Sequence, residues 1–118
     1  MRTLLLILFS ITLSLFAVKA GEPSGAERGV ASWYGSECST TASGERYNPS
    51  LMTAAHRSLP FGSLVRVKNL LTGSSTTVRI NDRGPYCRGR VIDVSKAAAQ
   101  QLKMIQSGTA KVEYYVIK

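Results

Sequence analysis

Few side chains in this 118-residue sequence can exchange a proton near neutral pH: seven acids and one histidine. Glu22 and Glu27 fall in a Gly- and Pro-containing lead-in, Glu37 sits in a loop beside Cys38, and Glu113 alternates onto the polar face of a strand. Glu45, Asp82 and Asp93 remain, with His56 as the one imidazole. Asp93 lies inside Val91-Ile92-Asp93-Val94, directly before Ser95. A carboxylate among Ile and Val is costly to bury unpaired, and burial favours its neutral form. Asp93 is therefore a protonatable acid, the structural partner of an arginine, or a helix-entry residue bonded to backbone amides. Glu45 and His56 flank a polar stretch containing Gly44, Tyr47, Asn48 and Thr53. They are either a working pair, or a solvated charge and a structural hydrogen-bonding ring. Asp82 stands in Asn81-Asp82-Arg83-Gly84-Pro85, where a strand breaks into a turn whose amides it can bond. A single histidine and no Cys-rich spacing give no zinc pattern, so neither a metal nor another cofactor is expected.

Short strands must position these groups. Residues 30–34 read as an apolar-aromatic strand, on which one of Trp33 and Tyr34 should face the core and the other solvent. Residues 36–50 are polar and loop-like, closed by Asn48-Pro49. Residues 64–68 and 76–80 alternate, with Val65, Val67, Val78 and Ile80 inward, and Thr72-Gly73 marks the hairpin between them. Residues 91–94 and 111–117 complete the strands. Between these two lies a helix, capped by Ser95, striped by Ala98, Leu102 and Ile105, and ended by Gly108. Several short strands and one helix predict a small closed barrel, a shape that removes exposed sheet edges.

The apolar run over residues 3–18, preceded by Arg2 and followed by Ala17-Val18-Lys19-Ala20-Gly21, has the pattern of a secretory signal peptide over residues 1–20. It is short for a bilayer span, which needs about 20 residues. Residues 21–29 read as a linker and residues 30–118 as one domain. The hydrophobic fraction of 44% and charged fraction of 19% exclude a disordered or polytopic membrane chain. The formal charge of +8 becomes +6 once Arg2 and Lys19 are removed with the signal. An exported cationic domain is drawn to polyanions of the envelope rather than to nucleic acid, or is simply kept soluble by its charge. Cys38 and Cys87 are either two thiols or one disulfide, which would contribute about 3–4 kcal/mol. With no cysteine at the signal exit, lipid anchoring is not expected.

Seven segments, taken in order, resemble the RlpA-like (rare lipoprotein A) double-psi β-barrel proteins. They are Ala31-Ser32-Trp33-Tyr34-Gly35, Thr41-Ala42-Ser43-Gly44-Glu45-Arg46-Tyr47, Thr53-Ala54-Ala55-His56, Leu59-Pro60-Phe61-Gly62, Val65-Arg66-Val67-Lys68-Asn69, Asn81-Asp82-Arg83-Gly84-Pro85 and Ile92-Asp93-Val94-Ser95. The resemblance implies a mainly β fold: a six-stranded double-psi barrel with one short helix. It also implies a lytic transglycosylase acting on peptidoglycan glycan strands in the periplasm or cell envelope, as a monomer without an integral membrane domain. Glu45 and His56 match the family's functional Glu and His, and Asp93 its barrel Asp. Asn48 stands where the family commonly has Asp, and an amide cannot move a proton.

The implied reaction protonates the bridging glycosidic oxygen and closes the sugar's own 6-hydroxyl onto the anomeric carbon, leaving an anhydro-muramoyl end. One carboxyl can act first as acid and then as base, unlike the paired carboxyls usual in glycosidases. Asp93 is the expected acid and Glu45 its rival, with His56 orienting a carboxylate or hydroxyl. Tyr47, Asn48, Asp82, Arg83, Trp33 and Tyr34 are the candidate substrate contacts. The other reading is a non-catalytic, expansin-like wall-binding module, in which Asn48 marks lost catalysis.

Overall fold

The computed structural model describes residues 25–35 and 39–118; the signal segment, residues 21–24 of the linker and Cys38 lie outside them. Six strands and one helix follow in order: β1 (Glu27–Trp33), β2 (Thr53–Ala55), β3 (Leu64–Asn69), β4 (Ser75–Asp82), β5 (Arg90–Val94), α1 (Lys96–Gln101) and β6 (Thr109–Val116). They close as β1-β5-β2-β4-β3-β6, a double-psi barrel. The alternating valines do what their period requires: Val65, Val67, Val78, Ile80, Ile92 and Val94 are fully buried and fill the interior. Each contributes about 1.5–3 kcal/mol of apolar burial.

Two strand boundaries differ from the sequence reading. Residues 27–29 are not linker: they belong to β1, where Glu27, Arg28 and Gly29 pair with Tyr114, Glu113 and Val112 of β6. Gly29 permits this, because a Cβ there would stand 2.4 Å from Val91 Cγ1 on the neighbouring β5. Strand β2 was hidden in a stretch that reads as loop. Its three residues, Thr53, Ala54 and Ala55, are all buried and bridge β4 on one side and β5 on the other. A strand this short and buried on both faces shows no alternation for sequence reading to find.

The helix is shorter than its apolar stripe suggests. Ser95 caps it as expected, its Oγ accepting from Ala98 N at 3.3 Å. It ends at Gln101 instead of reaching Gly108, because Lys103 takes a left-handed φ of 56°. Lys103 N then returns to Gln100 O (3.2 Å) and Met104 N to Ala99 O (3.0 Å), closing a Schellman turn. Asn69, buried at the end of β3, donates through Nδ2 to Leu102 O at 2.8 Å and accepts from Leu71 N at 2.9 Å. One side chain thus ties the helix end to the β3–β4 hairpin.

His56, just past β2, locks the opposite connections. Its Nδ1 accepts from Ser58 N and Leu59 N, both at 3.1 Å, so that nitrogen carries no proton. Nε2 therefore carries it and donates to Tyr114 Oη at 3.0 Å, which donates onward to Glu27 Oε2 at 2.7 Å. Burial lowers the imidazole pKa below 6.5, and the charges of Arg83 and Arg57 push it the same way against Glu27. The ring is neutral, and joins β1, β6 and the 56–59 turn.

Two stability predictions follow from these contacts. Gly29→Ala overpacks the β1–β5 contact and should cost about 1–3 kcal/mol. Chemical denaturation should find a smaller cost in a Val91→Ala background, and equal costs in both backgrounds would place the strain elsewhere. For His56 the folded pKa lies below the unfolded one, so the unfolded chain binds the extra proton between them. Stability is intact above about pH 6.5 and drops as the pH falls through that window. Urea midpoints from pH 8 to 5 should show this drop in the parent chain and a flatter profile in His56→Gln.

Candidate functional site

β1, β2, β4 and β5 bring the carboxylates together through one residue. Ala55 pairs with Asp82 of β4 on one side and with Asp93 of β5 on the other. Ser32 of β1 pairs with Asp93, and Tyr34 follows just beyond the end of β1, its N donating to Val94 O at 3.2 Å. The result is a cluster of Ser32, Tyr34, Asp82, Arg90 and Asp93 drawn from three strands and their ends.

Asp93 is held at one oxygen. Its Oδ1 accepts from Ser32 Oγ and from Arg90 Nη2, the latter at 2.5 Å, and Arg90 also donates to Ser32 Oγ. The side chain keeps 16% exposure, so it is shielded yet reachable. Its ion pair holds the Arg90 guanidinium charged, raising its pKa. Of the three readings open for Asp93 in the sequence, the arginine partnership is the resting state.

Tyr34 has a different character. Its hydroxyl oxygen is buried and makes no hydrogen bond among the described residues. Burial first, then the charges of Asp82, Tyr47 and Asp93, push the phenol pKa up and keep it protonated. Tyr47 packs edge-on against it, ring centroids 4.7 Å apart, and donates to Tyr34 O at 3.2 Å. Lys96 N in turn donates to Tyr47 Oη at 3.2 Å. Tyr47 is 6% exposed and Trp33 packs against the hydrophobic core. The three rings expected to stack on sugars are thus buried or half-buried, and the expected division of Trp33 and Tyr34 into one core and one solvent ring does not hold. Both residues are half-buried.

Glu45 hangs on the outer side of β4. Its Oε1 accepts from Arg79 Nη2 at 2.9 Å and Asn81 Nδ2 at 2.7 Å. These bonds, the arginine's foremost, hold its carboxyl below the ordinary value. An ionised glutamate can accept a proton or balance positive charge, but is a poor donor near neutral pH. Asp82 does what its turn position suggested: Oδ1 accepts from Ala42 N and Arg83 N, both at 2.8 Å, fastening the 39–48 loop to β4. Ser43 N adds a bond to Asn81 O at 3.2 Å. Asn48 is exposed and its Oδ1 accepts from Ser50 N at 2.9 Å, a turn bond that an Asp would make equally well.

His56 and Arg83 do not reach the cluster with free polar atoms. Both ring nitrogens of His56 are committed as described above, and the residue is 9% exposed. Arg83 Nη1 donates to Leu59 O (2.8 Å) and His56 O (3.2 Å), and its guanidinium lies 4.0 Å over the Phe61 ring. It shapes the loop at residues 56–61. Cys87 is exposed beside Arg90 Nη1 at 3.5 Å.

The sequence analysis gave no role to Ser32, Arg79, Asn81 or Arg57, and did not name Arg90 as the partner of Asp93. Arg57 donates to the carbonyls of Pro85 (2.5 Å), Cys87 (3.0 Å) and Arg90 (3.3 Å) and so braces the loop before β5. Ser32 was legible in principle, since a polar residue alternating with Tyr34 on a strand points where Tyr34 points. A groove of about 950 Å³ lies elsewhere, lined by Val30, Leu70, Leu71, Lys103 and Lys111 among others. None of the residues lining it is an acid. Among the described residues no group of three or more His, Cys, Asp or Glu could hold a metal ion.

Comparison with known proteins agrees with this architecture. Among curated proteins, a probable endolytic peptidoglycan transglycosylase RlpA from Nostoc sp. is 57% identical over 94 residues, covering 76% of this chain and 25% of the relative. The endolytic peptidoglycan transglycosylase RlpA of Campylobacter jejuni is 50% identical over 91 residues, 75% of this chain and 33% of the relative. The chain thus spans a quarter to a third of those proteins. Among solved structures, a Streptomyces papain inhibitor superposes with TM-score 0.66 at 21% identity, covering 80% of this chain and 96% of that one. A Clavibacter michiganensis expansin superposes at 0.59 and 21% identity, over 79% of this chain and 50% of its own. At such identities the likeness concerns the fold. The lytic transglycolase family profile matches residues 26–114. On that match, and on the barrel that carries Asp93, the chain belongs to the lytic transglycolase family of double-psi β-barrel domains.

Proposed function

We propose that this domain is a peptidoglycan lytic transglycosylase of the cell envelope, cleaving the MurNAc–GlcNAc bond to leave anhydro-muramoyl ends. The observation that carries the reading is Asp93: a carboxyl at a barrel-strand end, 16% exposed and gripped through Oδ1 alone. The names of the 50–57% identical relatives point the same way.

Asp93 is the proton carrier. A glycan laid across it strips water from the carboxyl and favours its neutral form. The proton passes to the bridging oxygen as the C1–O bond breaks and positive charge gathers on the anomeric carbon. The 6-hydroxyl of the same sugar attacks that carbon, and its proton returns to the Asp93 carboxylate. No water is consumed, and the acid is regenerated in one cycle. Glu45, held ionised by Arg79 and Asn81, serves as a fixed negative charge facing the glycan rather than as the acid. His56, Arg83 and Asp82 position the loops at residues 39–48 and 56–61 that border the cluster, and Asn48 keeps its turn without exchanging a proton.

Digestion of purified sacculi followed by mass spectrometry tests this. The parent chain should release anhydro-ended fragments. Asp93→Asn should lower the rate by about 10²–10⁴-fold, the usual worth of a general acid. Glu45→Gln should lower it less, because it removes a charge but no proton donor. A protein that pellets with sacculi yet releases no anhydro ends between pH 4 and 8 would sink the enzymatic reading in favour of a wall-binding module. In the binding-only case Asp93→Asn and Glu45→Gln would leave pelleting unchanged.

A further inference from the structure

Outside the carboxylate cluster, the β3–β4 turn presents apolar side chains that the turn itself does not need. Other residues build it: Asn69 Oδ1 accepts from Leu71 N at 2.9 Å, Asn69 O accepts from Gly73 N at 2.8 Å, and Gly73 takes a left-handed φ of 78°. Leu70 and Leu71 nevertheless remain exposed, Leu71 by 92%. With Val30, Lys103 and Lys111 they line the groove of about 950 Å³. A second groove, of about 340 Å³, shares Val30, Leu70 and Lys111 with it and adds Arg28, so the two adjoin as one trough. No residue lining either part is an acid. Arg28 reaches Glu113 at 3.5 Å, whereas Lys103 and Lys111 form no ion pair among the described residues. Lys103 also stands at its φ of 56°, where glycine is the usual and less strained choice. The chain thus keeps a cation there against a backbone cost.

We propose that this trough is a docking site for a short acidic segment of a partner protein. Bulky apolar side chains of the segment sit on Val30, Leu70 and Leu71, and its carboxylates pair with Lys103 and Lys111. Charge decides the sign of the occupant: an acid-free lining with two unpaired ammonium groups attracts carboxylates and repels cations. That argues against a second copy of this chain, whose formal charge is +8, and against its own residues 1–20, whose charged side chains are Arg2 and Lys19. Shape decides between a protein segment and a membrane. The walls are tied in place: Asn69 Nδ2 donates to Leu102 O at 2.8 Å, Leu70 N to Lys111 O at 2.9 Å, and Ser107 Oγ to Thr109 O at 2.8 Å. A fixed concave trough receives a chain with protruding side chains at little ordering cost, whereas a planar lipid surface would meet only its rims. The barrel closes on itself and offers no free strand edge, so recognition runs through side chains. The site is independent of the proposed reaction, since none of these residues belongs to the Asp93 cluster.

Panning a phage-displayed library of random peptides on the purified chain tests the docking site. The enriched peptides should carry Asp or Glu beside Leu, Ile or Phe, and should bind more weakly as salt rises from about 0.05 to 0.5 M. Lys111→Glu and Leu71→Ser should each weaken their binding about tenfold. Lys103→Gly separates binding from folding, because glycine suits the left-handed backbone. Its thermal midpoint should equal or exceed the parent's while peptide binding falls about three- to tenfold. In amide NMR spectra of the parent chain the bound peptide should shift residues 70–72 and 103–111. Enriched peptides that lack acids, or that bind all three variants as tightly as the parent, would overturn the proposal. Two other occupants would displace it as well. Sedimentation with phosphatidylglycerol vesicles that Leu71→Ser abolishes would give the trough to a membrane, and a dimer that Leu71→Ser disperses would give it to a second copy. In the sacculus digest Leu71→Ser and Lys103→Gly should match the parent chain. Altered release in either variant would assign the trough to the glycan instead.

Discussion

The site depends on the double pairing of Ala55. Strand β2 has only three residues, yet it closes the barrel between β4 and β5 and is buried throughout. Because Ala55 faces Asp82 on one side and Asp93 on the other, two carboxylates from distant parts of the sequence are fixed one strand apart on either side. The pairing with β4 is parallel and that with β5 antiparallel, so no simple hairpin could produce this juxtaposition. A larger residue at position 55, 2% exposed here, would have to push the pair apart or open the barrel. Each carboxylate meets its own set of partners. Asp82 spends an oxygen on two backbone amides, and Asp93 takes an arginine.

The sequence revealed the parts governed by local periodicity. Valines alternating over β3 and β4 declared the inward faces, Ser95 declared the helix start, and Thr72-Gly73 the hairpin. It failed where tertiary contacts decide. Nothing in Thr53-Ala54-Ala55 alternates, because both faces of β2 are covered. Residues 27–29 look like linker, because the glycine that suggests flexibility is there to let β1 approach Val91. The helix stripe overran to Ile105, because Lys103 occupies a left-handed position where glycine or asparagine is the usual signal.

The site was legible by residue type but not by role. Glu45, Asp82, His56 and Asp93 could be chosen because acids and imidazoles are scarce, and the resemblance to known motifs ordered them. Their tasks depend on partners that sequence does not display. Glu45 is held ionised by Arg79 and Asn81, 34 and 36 residues away. His56 bonds two backbone amides and a tyrosine 58 residues on, partners that hold its ring in place. Arg90, three residues before Asp93, is the counter-ion of that carboxylate, a pairing that the residue types alone do not single out.

These partnerships divide the electrostatic work in a consistent way. Groups that must keep one charge state are bonded on several sides: Glu45 anionic, His56 neutral, Arg83 spread over two carbonyls and an aromatic face. Such bonding fixes loops at residues 39–48 and 56–61, and makes each of these groups a poor proton exchanger. Asp93, like Glu45 and Asp82, uses one oxygen only, and among the described residues its neighbour Tyr34 makes no bond through its hydroxyl. The proposed reaction assigns its proton to Asp93 rather than Glu45 because Asp93 sits on a barrel strand with 16% exposure against 36% for Glu45, so a glycan bound there can exclude water from it.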